Sequence, residues 1–145
     1  MKDEDLKALV HYRLERARSA LHDAESILLC DGSPEGVINR AYYAMFYSVL
    51  ALFQNLEKVP RKHSGVISLF DREFYKTGIF PKELSKNLHR AFELRQKSDY
   101  QDLVTMEWDT ARHLFHKASC FVDTIEGYEI KSGFPETPTS GGVTG

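Results

Sequence analysis

Cysteine is scarce: Cys30 and Cys120 are the two cysteines in a chain of 145 residues, far apart and without a C-x-x-C pair. That excludes a disulfide framework and predicts buried free thiols in a reducing compartment. Proline is also sparse, with five in all, each before or between helical patterns or in the tail. No strand-like alternation persists, which removes the sheet classes. An excess of one charge is missing too, since 19 basic residues face 21 acidic ones and leave a net charge of −2. Attraction to nucleic acid must therefore come from a local patch. Long hydrophobic runs are absent. The uncharged stretch Ala41–Leu56 contains Ser48, Gln54 and Asn55 and falls short of the ~20 residues that span a bilayer. The opening Met1-Lys2-Asp3-Glu4-Asp5 has no secretory character, so a cytoplasmic protein is expected.

What is present is ordinary soluble material, with 42% hydrophobic and 28% charged residues. A chain of this length suits one domain with a real core. Val10, Leu14, Ala17, Leu21, Ala24 and Leu28 alternate spacings of four and three, predicting one apolar stripe on a helix from Asp3 to about Leu29. Arg13, Arg16, Asp23 and Glu25 fall off that stripe and are expected to face water. Gly32 can stop this helix, Ser33 can cap the next, and Pro34 suits its first turn.

The second helix, from Pro34 to about Leu56, is apolar almost all round. Ile38, Ala41, Met45, Val49, Leu52 and Leu56 form its core stripe. Arg40, Ala44, Tyr47 and Ala51 form another nearly opposite, flanked by Tyr43 and Leu50. A helix of this kind is buried on two sides, so its second side is expected to be a site or a subunit interface. Next comes a basic connector of Lys58, Arg61, Lys62 and His63. Ser64 is the expected cap of a third helix from Gly65 to about Lys76, with Val66, Ile67, Phe70 and Phe74 inward. Pro81 opens a fourth, carrying Leu84, Leu88, Ala91, Phe92 and Arg95 on one side, and Ser98-Asp99-Tyr100 breaks it. Thr105 is the expected cap of a fifth, with Ala111, Leu114, Phe115, Ala118, Phe121, Val122 and Ile125 inward. The fold class is thus all-α, an antiparallel bundle of four or five helices over residues 1–130. Residues 131–145, rich in Gly, Ser, Thr and Pro, are expected to form a disordered tail.

Asn39-Arg40-Ala41-Tyr42-Tyr43-Ala44-Met45-Phe46, His63-Ser64-Gly65, and Arg90-Ala91-Phe92-Glu93-Leu94-Arg95 with Asp99-Tyr100 together resemble the HEPN-domain family (higher eukaryotes and prokaryotes nucleotide-binding), in its small prokaryotic stand-alone form. The resemblance implies an up-and-down helical bundle that commonly forms a homodimer. It also implies a pairing with a small nucleotidyltransferase in a toxin–antitoxin-like module. Many family members are metal-independent endoribonucleases, with an arginine, four to six residues, then a histidine. The arginine here is Arg40, and Met45, Phe46 and Tyr47 occupy the places allowed to the histidine.

Proton exchange near neutral pH suits histidine. Tyrosine would be only ~0.1% ionised at pH 7, and losing general acid–base help costs about 10²–10⁴-fold in rate. Phosphate binding by Arg40 survives that loss. The expected function is therefore nucleotide or RNA binding through Arg40, Tyr43, Tyr47, Arg61, Lys62, His63 and Arg95. The dimer contact is expected at Tyr43, Tyr47 and Leu50. Two alternatives stand beside it: a nuclease using Arg40 with His63 or Tyr47, and a non-catalytic dimeric scaffold. Arg40 could equally pair with a carboxylate, and Arg95 with Asp99 or Glu93. The basic connector could be solvated loop charge. No cofactor is expected, and no metal, since His113 and His116 lack a carboxylate ligand placed to complete a site.

Overall fold

A computed structural model describes residues 3–30, 32–54, 56, 58–100 and 105–133. The expected tail beyond Gly133 lies outside these residues. Among the described residues five α-helices follow one another: α1 (Asp3–Leu29), α2 (Pro34–Leu52), α3 (His63–Phe70), α4 (Lys82–Tyr100) and α5 (Trp108–Lys131). A π-helical turn, Asp71–Tyr75, continues α3. The fold is an all-α up-and-down bundle. Among the described residues no helix is long and apolar enough to cross a membrane.

The α1 stripe packs as its spacing predicts, with Val10, Leu14, Ala17, Leu21 and Ala24 buried. Leu28 is half-buried against the core. Arg16, Asp23 and Glu25 face water, but Arg13 does not: it is half-buried, and its Nε is shielded without a hydrogen-bond partner. At the α1–α2 corner, Ser33 Oγ accepts the Gly36 N–H at 3.0 Å and Pro34 takes the first helical position. A Cβ on Gly32 would lie 2.3 Å from Ile27 Cγ2, so any other residue there requires Ile27 to shift.

α2 is the central rod, packed against α1, α3, α4 and α5. Ala17, Ala20 and Ala24 of α1 and Ala41, Ala44 and Ala51 of α2 are buried, and side chains this small let neighbouring backbones approach closely. Ala44 and Ala51 of the second row are thus already buried within one chain. Beyond its first turn, what α2 leaves half-exposed is Asn39, Arg40, Tyr43, Tyr47 and Leu50. Arg18 of α1 forms ion pairs with Asp123 and Glu126 of α5. Leu28 and Leu29, at the far end of α1, line a surface groove with Trp108 and Arg112. α1 and α5 are therefore antiparallel.

Several boundaries differ from the expected ones. α2 stops at Leu52 rather than Leu56, because Gln54 Nε2 donates to the Leu50 carbonyl at 2.7 Å and Phe53 N–H turns back to the same oxygen. α3 begins at His63, with Lys62 rather than Ser64 at the cap position. Pro60 sits so close to Gly65 that a Cβ there would lie 2.8 Å from it, and this packing fixes where the helix starts. The expected third helix also changes type: Lys76 N–H reaches back to Asp71 O at 2.7 Å, the hydrogen bond of a π-turn. That turn places Phe74 among Phe53, Phe70, Phe80 and Tyr128. α4 does not break at Ser98; Asp99 pairs with Arg95 one turn earlier at 3.1 Å, which supports the last turn. α5 is preceded by Glu107, not capped by Thr105, after Met106 N–H binds Glu35 of α2 at 3.1 Å. Phe115 is half-buried, while the rest of the expected α5 face is buried. Both cysteines are exposed, contrary to expectation, since Cys30 follows the end of α1 and Cys120 falls beside the inner face of α5.

Candidate functional site: a guanidinium–tyrosine cluster

The half-exposed row of α2 meets the start of α3 and the last turns of α4. Tyr42 is fully buried by its neighbours, yet its hydroxyl lies 2.8 Å from His63 Nδ1. The imidazole stacks on Phe46 with centroids 4.2 Å apart. Arg95 reaches over from α4: its guanidinium lies 5.5 Å from the Tyr42 ring centre and 5.4 Å from that of Tyr43. One of its nitrogens is 3.5 Å from the same His63 Nδ1. Arg40 covers Tyr43 at 5.3 Å and donates from Nε to Asn39 Oδ1 at 3.0 Å. Tyr43 thus lies against two guanidiniums.

These contacts set the protonation of His63. Burial, and then the Arg95 charge, hold its pKa below the usual histidine value, so the ring is neutral at pH 7. A cation beside Nδ1 disfavours a proton on that atom. Burial raises the Tyr42 pKa, so Tyr42 stays protonated and donates to Nδ1. With Tyr42 as the donor of this bond, the ring proton is the one on Nε2. In this state the ring is a hydrogen-bond donor, and its one lone pair is already used.

Of the expected site residues, Arg40, Tyr43, His63 and Arg95 come together. His63 meets Arg95, while both His63 and Arg40 lie against the Tyr43 ring. Arg95 keeps its pairing with Asp99. Arg40 has no carboxylate partner among the described residues. Arg61 and Lys62 are exposed just before α3, with no ion pair among the described residues. Tyr47 extends the cluster, its ring 5.7 Å from that of Tyr43, and Leu50 lies one turn further, half-buried against the core.

Two residues of the cluster escaped the sequence reading. Arg16 of α1 donates to the Tyr47 hydroxyl at 3.0 Å and lies 4.9 Å from the centre of its ring. Tyr42 sits beside the α2 core stripe, and nothing in the pattern distinguishes it from a packing residue. Both roles depend on contacts between helices that periodicity does not encode.

The guanidiniums of Arg16, Arg40 and Arg95 thus lie on tyrosine faces, with Asp99 as their one carboxylate partner among the described residues. The patch is locally positive on a chain of net charge −2. Planar cations with free N–H groups bind phosphate oxygens, and tyrosine faces accept bases by stacking.

Comparison with known proteins adds a family. Residues 10–128 match the family model described as the HEPN domain. A UPF0332 protein of Thermotoga maritima is 42% identical over 118 residues, covering 81% of this chain and 89% of that protein. Two proteins of Methanocaldococcus jannaschii named “Putative toxin” are also similar. One is 33% identical over 81% of this chain and 79% of its own length. The other is 31% identical over 85% and 87%.

Proposed function

Because the chain belongs to the HEPN-domain family, we propose that it is a nucleotide- or RNA-binding module whose phosphate site is built by Arg95, His63 and Arg40 around Tyr43. The observation that carries this is the pair of contacts at His63 Nδ1, 2.8 Å from the Tyr42 hydroxyl and 3.5 Å from an Arg95 nitrogen. With Nδ1 taken by Tyr42 and crowded by Arg95, His63 offers a proton from Nε2 and has no free lone pair for a 2′-hydroxyl. A donor flanked by two guanidiniums stabilises a bound anion. It is poorly arranged to start RNA cleavage, which needs a base. Arg61 and Lys62, exposed beside His63, add attraction at longer range.

In this reading the protein works in the cytoplasm as a homodimer, with Leu50 at the contact and Tyr43 and Tyr47 walling a shared groove. Its partner is a small nucleotidyltransferase in a toxin–antitoxin-like system. Support comes from the resemblance of the Asn39–Phe46 and His63–Gly65 segments and from the names of the Methanocaldococcus relatives.

Titration of the purified protein with AMP and with a short oligoadenylate tests the reading. Binding of both is expected, weakened about tenfold or more, 1.4 kcal/mol, by Arg95→Gln. Absence of binding by either ligand refutes it. Metal-independent cleavage of RNA that disappears in His63→Gln would replace it with the nuclease. Sedimentation of wild type and Leu50→Glu tests the dimer; a wild-type monomer removes that part of the proposal.

A further inference from the structure

The proposed phosphate site does not end at Tyr43. Beyond it the aromatic row of α2 continues to Tyr47, with ring planes inclined by 36°. Tyr47 is covered in turn by Arg16, a residue of a different helix that takes no part in the Arg95–His63 contacts. From Arg95 the sequence of faces is guanidinium, ring, ring, guanidinium. Cation-to-ring separations are 5.4 Å and 4.9 Å at the two ends.

We propose that Arg16 and Tyr47 form a second nucleotide subsite, extending the Arg95–Tyr43 site into a track for single-stranded RNA that takes at least two successive nucleotides. This rests on the phosphate-binding reading above. Arg16 is exposed and has no carboxylate partner among the described residues. Its hydrogen bond to the Tyr47 hydroxyl holds the guanidinium in place while leaving other N–H groups for a phosphate. The Arg16 and Arg95 guanidinium planes that cover Tyr47 and Tyr43 can in turn stack unpaired bases, whereas duplex bases are already stacked on each other. An identical copy is a poor occupant for this end of the row. Two-fold pairing there would bring the uncompensated Arg16 charges toward one another, so a homodimer contact belongs at the Leu50 end.

The test compares Arg16→Gln with wild type on two probes, AMP and a short fluorescein-labelled oligoadenylate. Arg16→Gln should weaken the oligonucleotide about tenfold and leave AMP unchanged. It should also reduce the slope of log affinity against log salt by about 0.7, the share of one phosphate contact on a single strand. Arg95→Gln should weaken both probes. Equal loss of AMP and oligonucleotide in Arg16→Gln, or loss of neither, overturns the second subsite while AMP binding still upholds the phosphate site. If wild type binds neither probe, both readings fall. A duplex bound as tightly as the single strand overturns the stacking track.

Discussion

Tyr42 and His63 are joined through a hydroxyl and Nδ1 at 2.8 Å, although they come from different helices and one of them is a core residue. This bond and the neighbouring Arg95 decide which imidazole nitrogen carries the proton. The site is thereby read as one that gives hydrogen bonds to anions.

The His63 titration is the direct check. Burial and then Arg95 lower its pKa, so NMR should find a midpoint below about 6.5, moving upward in Arg95→Gln. Above the unfolded-state value the ring is neutral in both states and costs nothing. As pH falls through about 6.5 the unfolded chain gains the proton first, and stability declines until the folded pKa is passed. His63→Gln should remove that decline. A wild-type midpoint at or above 6.5 would contradict the assignment.

Glu129 gives a pH dependence of opposite sense. It is buried on α5, and burial pushes its pKa up to about 7. Below about pH 4.5 the carboxyl is neutral in both states; as pH rises toward 7 the unfolded chain ionises first and stability is lost. Glu129→Gln should stabilise the protein by roughly 3 kcal/mol above pH 8 and by little at pH 4.5. Equal effects at both pH values in urea unfolding would show that ionisation of Glu129 is not the cause.

Asp71 ties the π-turn to α4. One carboxylate oxygen accepts the Ser85 hydroxyl at 2.6 Å, and the other meets His89 Nε2 at 2.6 Å. Because Ser85 is buried, Asp71→Ala leaves its hydroxyl without this acceptor and should cost about 1–3 kcal/mol. Chemical denaturation showing a loss within about 0.5 kcal/mol, as for an ordinary surface change, would reduce the latch to a surface contact.

Ala44 lies on α2 with no exposed surface. Ala44→Leu should force the rods apart and destabilise by about 1–3 kcal/mol. An unchanged melting temperature would mean that the contact can yield.

Much of this was legible in the sequence, and the rest was hidden for definite reasons. The α1 stripe and the Ser33–Pro34 corner follow from local chemistry, and so were foreseen. The start of α3 depends on Pro60 meeting Gly65, and the end of α2 on Gln54 displacing a helical bond. The pattern of apolar residues encodes neither contact. In the site, Arg40, Tyr43, His63 and Arg95 stand in recognisable motifs, while Arg16 looks like any solvated arginine until α1 is laid beside Tyr47.

The central position of α2 has a consequence for how such a protein can change. The rod most hemmed in by its neighbours is also the one that displays Arg40, Tyr43 and Tyr47, so in the proposed function substitutions there would strain the scaffold and alter recognition at once. Arg16, exposed and brought in by α1, is under no such double constraint. New ligand preferences should therefore accumulate at Arg16 sooner than along the tyrosine row it adjoins.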